Sequence, residues 1–114
     1  MSTIRNKVNL IGRVGQAPEV QTVKGDYKVV KVSLATNEPH KGKDGKWVDN
    51  TQWHSLIFWG KTAENFARIA EKGSEVALEG KLVHNNYETK TGEKRFSTDI
   101  EVVDFLVLNN KKEK

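Results

Sequence analysis

The sequence predicts an all-β fold, a five-stranded barrel with one helix between the third and fourth strands. Apolar residues alternate with polar ones along most of the chain, as expected for strands with one face on a core and the other in water. Only one short segment shows the apolar spacing of a helix. The chain has 114 residues, of which 36% are hydrophobic, so it can fill one modest core within a single domain.

Five segments show the strand pattern, and glycine-rich or polar turns separate them. The predicted strands cover about residues 5–14, 27–36, 51–59, 76–87 and 95–108. The clearest alternation is in the second, where Val30, Val32 and Leu34 are interleaved with Lys31 and Ser33. Turns are expected at residues 15–18 and 89–94, where Gly or Pro interrupts the pattern.

The helical segment follows the third strand. Its apolar residues stand at i, i+3, i+4 and i+7: Ala63, Phe66, Ala67 and Ala70. Thr62 is placed to cap its start, and Gly73 to end it in a left-handed conformation. A lone helix between the third and fourth of five short strands is the connectivity of an OB-fold barrel. We therefore assign residues 1–108 to one OB-fold domain and residues 109–114 to a short polar C-terminal end.

Composition narrows the classes of function. The net charge is +4, from 19 Lys and Arg against 15 Asp and Glu, and an excess of positive charge favours polyanionic partners. The absence of cysteine excludes disulfides and thiolate metal sites. No secretory signal and no apolar run long enough to cross a bilayer is visible. A cytoplasmic location is therefore expected.

Aromatic residues in the third predicted strand are divided between its two faces by the period of two. Trp53, Ser55, Ile57 and Trp59 share one face, and His54, Leu56 and Phe58 share the other. Leu56 and Phe58 are expected in the core beneath the helix, which leaves Trp53 and Trp59 on the outside. Such an outer face either packs against another subunit or offers its rings to a ligand.

Further aromatic and basic residues favour a nucleic-acid ligand. Residues 38–50 form a long Gly- and Lys-rich segment, predicted to be a loop without regular structure, and it contains Trp47. Tyr87 stands where the fourth strand leaves the barrel. Basic residues lie near these rings in sequence: Lys41, Lys43, Lys46, Lys90, Lys94 and Arg95. Rings that stack on bases, with ammonium groups on the phosphates, are typical of proteins that bind single strands.

No catalytic or metal-binding pattern is legible. His40, His54 and His84 have no partner at metal-ligand spacing. The Gly60-Lys-Thr sequence lacks the first glycine of a phosphate-binding loop, because position 55 is serine. The sequence therefore predicts a protein that is not an enzyme and that uses no cofactor or metal.

The chain resembles the bacterial single-stranded DNA-binding proteins over about residues 5–105. The shared segments are NKVNLIGRVGQAPE at 6–19, LAT at 34–36, TQWH at 51–54, WGK at 59–61, KGS at 72–74 and EG at 79–80. The resemblance implies an OB-fold subunit of a homotetramer that binds single-stranded DNA in replication, recombination and repair. It also implies a bacterial, nucleoid-associated location.

The resemblance assigns roles to individual aromatic residues. Trp53 and Trp59 match the two stacking positions on the third strand, and Tyr87 matches a stacking aromatic on the hairpin between the fourth and fifth strands. His40 stands where many members have tryptophan. A histidine stacks more weakly, and Trp47, seven residues later, is the candidate to compensate.

The resemblance also assigns contacts with DNA and between subunits. Lys61 and Lys72 match positions along the DNA path. Lys7 and Asn9 belong to the first strand, which implies dimer contacts by strand pairing. His54 matches a histidine packed near a subunit interface.

Two departures from the family pattern affect these expectations. Residues 83–86, Val-His-Asn-Asn, replace a segment that often carries several Arg or Lys, so we expect fewer phosphate contacts and a shallower salt dependence. The chain ends in basic residues 109–114 instead of an acidic tail, as in a truncated chain or a short member of the family. Recruitment of repair enzymes through a tail is therefore not expected.

Two alternative functions are possible for the same fold. One is a replication-restart accessory protein that acts mainly through protein contacts, and the other is an RNA-binding OB module.

Overall fold

The computed structural model describes residues 4–109, except for the side chains of Lys24, Tyr87 and Asn109. Within this range there are eight strands and one α-helix: β1 (Val8–Val14), β2 (Gln21–Val23), β3 (Tyr27–Asn37), β4 (His40–Lys41), β5 (Trp47–Val48), β6 (Thr51–Trp59), α1 (Gly60–Ile69), β7 (Glu75–Glu88) and β8 (Lys94–Asn109). The five predicted strands correspond to β1, β3, β6, β7 and β8. The predicted fold, with its helix between the third and fourth of these strands, is confirmed.

The five long strands form a ring. Their sheet has the order β1-β7-β8-β6-β3-β2, and β1 also pairs with β3 through Arg13 and Ala35 and through Val14 and Leu34. The β6–β8 pairing is parallel, and the other pairings of this sheet are antiparallel. A Cβ atom on Gly12 would lie 2.3 Å from the carbonyl oxygen of Ala35. Ring closure therefore requires glycine at position 12, because real Cβ contacts are not this short.

The core lies inside the ring and beneath α1. Phe58 of β6 and Phe66 of α1 are both fully buried, and their rings stack with centroids 4.0 Å apart. Phe105 of β8 meets Phe66 edge to face at 5.1 Å. The two faces predicted for the third strand are confirmed, since Leu56 and Phe58 are buried while Trp53 and Trp59 are exposed.

The structure corrects the predicted start of the helix. Thr62 does not cap α1, because the helix begins at Gly60 and the N-cap position falls on Trp59. Gly60 has a φ of +59°, which lets β6 turn directly into the helix without an intervening loop. At the other end the C-cap is Ala70, so Gly73, whose φ is +88°, lies in the turn beyond the helix.

The segment 38–50, predicted to lack regular structure, instead contains a small hairpin. β4 and β5 pair antiparallel, with His40 opposite Val48 and Lys41 opposite Trp47. Asp44 Oδ1 accepts a hydrogen bond from the backbone nitrogen of Lys46 at 3.0 Å, which supports the turn. Two-residue strands are too short for an alternating pattern to reveal them in the sequence.

Candidate nucleic-acid interface

The outer face of β6 presents two tryptophans to solvent. The side chain of Trp53 is 63% exposed and that of Trp59 is 37% exposed. They are six residues apart on one strand, so their Cα atoms are separated by about 20 Å. The face between them is flanked by β3 on one side and by β8 on the other.

The ring of Trp53 lies close against the backbone of Gly15. A Cβ atom at position 15 would approach Trp53 Cζ3 to 2.8 Å and Ser33 Oγ to 2.5 Å. The backbone nitrogen of Gly15 donates to the carbonyl oxygen of Ser33 at 2.8 Å, which fixes this loop against β3. The absence of a side chain at Gly15 therefore sets where the Trp53 ring can lie.

We expect Gly15→Ala to displace the Trp53 ring and to lower the free energy of unfolding by about 1–3 kcal/mol, as for other overpacked sites. Near-ultraviolet circular dichroism and urea denaturation measure the two effects. The double variant with Ser33→Ala removes one of the two short contacts and should recover part of the stability. Tryptophan spectra and stability equal to those of the parent chain would contradict this packing.

Trp59 is held more firmly than Trp53. Its ring meets Tyr27 edge to face, with centroids 5.5 Å apart and planes at 90°. Its cross-strand partner is Val29, whose side chain is buried. Tyr27 itself is 56% exposed and so extends the aromatic surface beyond β6. Sequence reasoning missed Tyr27, although it has the same parity on its strand as Lys31 and Ser33.

A groove of about 840 Å³, lined by both polar and apolar side chains, lies on this face between the tryptophans. Ser33, Ser55 and Asp99 follow one another across β3, β6 and β8 in register. The other polar side chains that line it are Gln16, Lys31, Asn85 and Ser97. The small serines leave room above the sheet, so the groove can accept flat rings or polar groups between the two indoles.

The predicted basic residues are all exposed, but they lie in three separate places. Lys61 is in the first helical turn of α1, and Lys72 is in the loop that follows the helix. The β7–β8 hairpin carries Lys90, Lys94 and Arg95, and the tip of the β4–β5 hairpin carries Lys43. The guanidinium of Arg95 forms an ion pair with Glu93 at 3.0 Å. Lys31, which sequence reasoning did not select, is the lysine that lines the groove itself.

The β4–β5 hairpin separates two of the predicted aromatic residues. Trp47 is opposite Lys41, and His40 is opposite Val48. Adjacent cross-strand pairs point to opposite faces of a ribbon, so Trp47 and His40 do not share a face. Trp47 is 71% exposed. That Trp47 compensates for His40 stays a prediction, and on this hairpin Trp47 would do so from the opposite face.

The β7–β8 hairpin carries one predicted and one unpredicted aromatic residue. The side chain of Tyr87 lies outside the described part of the structure; its backbone pairs with Arg95. Phe96, which sequence reasoning missed, is 77% exposed beside Asn86 and Lys94. Its position directly after two basic residues is the signal in the sequence that could have identified it.

Two of the three predicted interface residues, Lys7 and His54, make side-chain contacts within the chain. Lys7 Nζ lies 3.2 Å from a carboxylate oxygen of Glu79. His54 Nε2 and Thr36 Oγ1 are hydrogen-bonded at 2.9 Å, and the imidazole is half-buried. Asn9 is exposed on β1.

Residues 4–109 contain neither a metal-binding cluster nor a membrane-spanning helix. No group of three or more His, Asp or Glu side chains is arranged to hold a metal ion in this range. No helix there is long and apolar enough to cross a membrane.

The structure has a closed ring of five long strands, with one helix between the third and the fourth of them. The outer face of the second and third long strands carries aromatic residues. These features together define an OB-fold. Comparison with known proteins identifies the family within this class. The model of the Single-strand binding protein family matches residues 5–108. The chain belongs to this family.

Relatives in three bacteria have similar sequences. Single-stranded DNA-binding protein 1 of Chlorobaculum tepidum is 36% identical over 107 residues, which cover 93% of this chain and 66% of the relative. The single-stranded DNA-binding protein of Xanthomonas axonopodis is 34% identical over 95% of this chain and 60% of the relative. Single-stranded DNA-binding protein 1 of Xylella fastidiosa is 35% identical over 95% of this chain and 80% of the relative. The chain thus spans less than two thirds of the length of the first two relatives.

Solved structures show the same arrangement. The SSB of Plasmodium falciparum, in a complex with ssDNA, superposes with a TM-score of 0.82 at 28% identity, covering 96% of this chain and 97% of that one. A deletion mutant of the single-stranded DNA-binding protein from Thermus aquaticus superposes with a TM-score of 0.79 at 22% identity. This similarity covers 93% of this chain and 51% of that one. This second similarity supports the fold alone.

Proposed function

We propose that the chain binds and protects single-stranded DNA in replication, recombination and repair, as a non-enzymatic protein of the bacterial cytoplasm and nucleoid. The observation that carries the proposal is the pair of exposed indoles, Trp53 and Trp59, at the two ends of an open groove. Relatives named single-stranded DNA-binding proteins and the similar structure of a complex with ssDNA support it.

Base stacking is the main source of affinity in this proposal. Each indole offers a π-face to a base, and such stacking tolerates every base because every base has one. Lys31 lines the groove between the rings and neutralises a phosphate nearby. A base pair in a duplex is already stacked on its neighbours, so duplex DNA binds poorly.

The two hairpins extend the path of the strand beyond β6. We assign stacking to Tyr87 on one hairpin and to Trp47 and His40 on the other. The exposed basic residues contact phosphates along the way: Lys43, Lys61, Lys72, Lys90, Lys94 and Arg95. Each phosphate contact releases counterions, so binding weakens as salt rises.

A homotetramer is the proposed assembly, and the outer face of β1, β7 and β8 supplies an apolar surface for it. Ile11, Ala77 and Leu106 are adjacent in register across these strands, and Ile11 and Leu106 are 61% and 68% exposed. Apolar surface of this kind is stabilised by burial against a second copy. Lys7, Asn9 and His54 are proposed to lie near contacts between subunits.

We expect Leu106→Glu to yield a smaller species than the parent chain in sedimentation velocity, because a carboxylate would be buried in the contact. Val103→Glu is the matched control, since Val103 is 57% exposed on the same strand but lies outside the row formed by Ile11, Ala77 and Leu106. Equal sedimentation of all three proteins would place the subunit contact elsewhere.

Competition between nucleic acids tests the proposed function. Fluorescence anisotropy of a labelled dT oligomer is measured with unlabelled dT, duplex DNA and RNA as competitors, at several salt concentrations. We expect dT to compete far better than duplex, with log Kd rising by about 0.7 per phosphate contact for each unit of log salt. Equal competition by duplex would contradict the proposal, and tighter binding of RNA would identify an RNA-binding module instead.

A further inference from the structure

The groove between the tryptophans contains a carboxylate for which base stacking has no use. Asp99 lies on β8 directly opposite Ser55 of β6, and its side chain is half-buried. It lines the large groove and also a smaller cavity of about 120 Å³ beside Trp59. A carboxylate in this position repels phosphates, so the group of the ligand that comes nearest to it should be a hydrogen-bond donor.

Neighbouring side chains hold Asp99 in one orientation. Its Oδ2 accepts a hydrogen bond from Asn85 Nδ2 at 2.8 Å and lies 3.4 Å from Ser97 Oγ, which also donates to it. Within the described residues, no donor reaches Oδ1. An ionised carboxylate has about four acceptor positions on its two oxygens. Asp99 therefore retains accepting capacity at an oxygen whose position is already fixed.

We propose that Asp99 Oδ1 accepts a hydrogen bond from the exocyclic amino group of a base stacked beside Trp59. This inference rests on the proposed function. Cytosine and adenine carry such a group, at N4 and N6, and carboxylates are known acceptors for cytosine N4. Thymine and uracil have a carbonyl oxygen at the corresponding place, which a carboxylate repels. The protein thus favours amino-bearing bases over thymine and uracil at this one place, while stacking elsewhere remains indifferent to sequence.

A purely structural role for Asp99 makes a different prediction. If the carboxylate only braces the β7–β8 hairpin through Asn85 and Ser97, its contacts are complete at Oδ2 and do not involve the ligand. Its negative charge would then weaken the binding of every strand by the same factor. The ratio of affinities for two strands of different bases distinguishes the two roles.

Oligomers of dC and dU of equal length provide this ratio. Both bases are pyrimidines of the same size, and the amino group at C4 of cytosine is a carbonyl in uracil. At pH 8, where cytosine is unprotonated, anisotropy titrations of the unmodified chain should give a Kd about three- to tenfold lower for dC than for dU, as expected for one net hydrogen bond. If both strands bind tightly and with equal affinity, the role of Asp99 is overturned while the proposed function stands. Failure to bind either strand would overturn the proposed function and this inference together.

Two charge-matched variants complete the test. Asp99→Asn keeps the size of the side chain but can donate as well as accept, so the ratio of the two affinities should fall to about one. Glu64→Gln removes the same charge from an exposed position on α1 and should leave the ratio unchanged. A ratio in the Asp99→Asn protein equal to that of the unmodified chain would overturn the inference. Circular dichroism of each variant verifies that the fold is retained.

Discussion

Trp53→Ala is expected to weaken the binding of single-stranded DNA by about 1–3 kcal/mol, and Trp59→Ala by a similar amount. Each substitution removes the π-face on which one base is proposed to stack. Trp53 is the more exposed ring, and the removal of its side chain leaves the core of the barrel intact. Trp59 packs against Tyr27, so its loss also loosens a neighbour. Anisotropy titrations with a labelled dT oligomer measure the change.

Phenylalanine at the same position is the matched control. Trp53→Phe keeps an aromatic face on β6 and should retain most of the affinity that Trp53→Ala loses. A result in which both alanine variants bind dT like the parent chain, with unchanged circular dichroism, would contradict stacking on β6. The exposed indoles of Trp53 and Trp59 would then be assigned to a protein contact.

Phe66→Ala is expected to lower the free energy of unfolding by about 3–5 kcal/mol, the usual cost of removing a buried aromatic ring. Phe66 is fully buried, and its ring packs against both Phe58 and Phe105. Most domains of this size are only about 5–15 kcal/mol more stable than their unfolded chains. Urea denaturation at a fixed protein concentration measures the loss, since assembly makes apparent stability depend on concentration.

Phe96→Ala is the control for this prediction, because the ring of Phe96 is 77% exposed. Removing it should change the unfolding free energy by no more than about 0.5 kcal/mol, as is usual at the surface. Equal losses in the two variants would mean that the three-ring cluster beneath α1 does not stabilise the barrel.

Much of the barrel could be predicted because its long strands keep a strict alternation. In β6, Leu56 and Phe58 point to the core, so the outward position of Trp53 and Trp59 follows from a period of two. The helix was recognisable for the same kind of reason, since its apolar spacing differs from that of the strands on either side.

Features that depend on register could not be predicted. The groove is lined by Ser33, Ser55 and Asp99, which come from three strands distant in sequence and meet only through the pairings of β6. No local pattern marks a polar residue as facing such a groove. The support of Trp53 by Gly15 is equally non-local, because a loop after β1 must be placed against β3 before the contact exists.

Quenching of tryptophan fluorescence tests the stacking of bases on β6 most directly. Trp47→Phe leaves Trp53 and Trp59 as the only tryptophans of the chain, so the signal comes from the proposed platform alone. Titration of this variant with poly(dT) should quench the emission strongly, and titration with duplex DNA should change it little. Unchanged emission at poly(dT) concentrations that saturate binding would show that the bases do not stack on these rings, and would contradict the account.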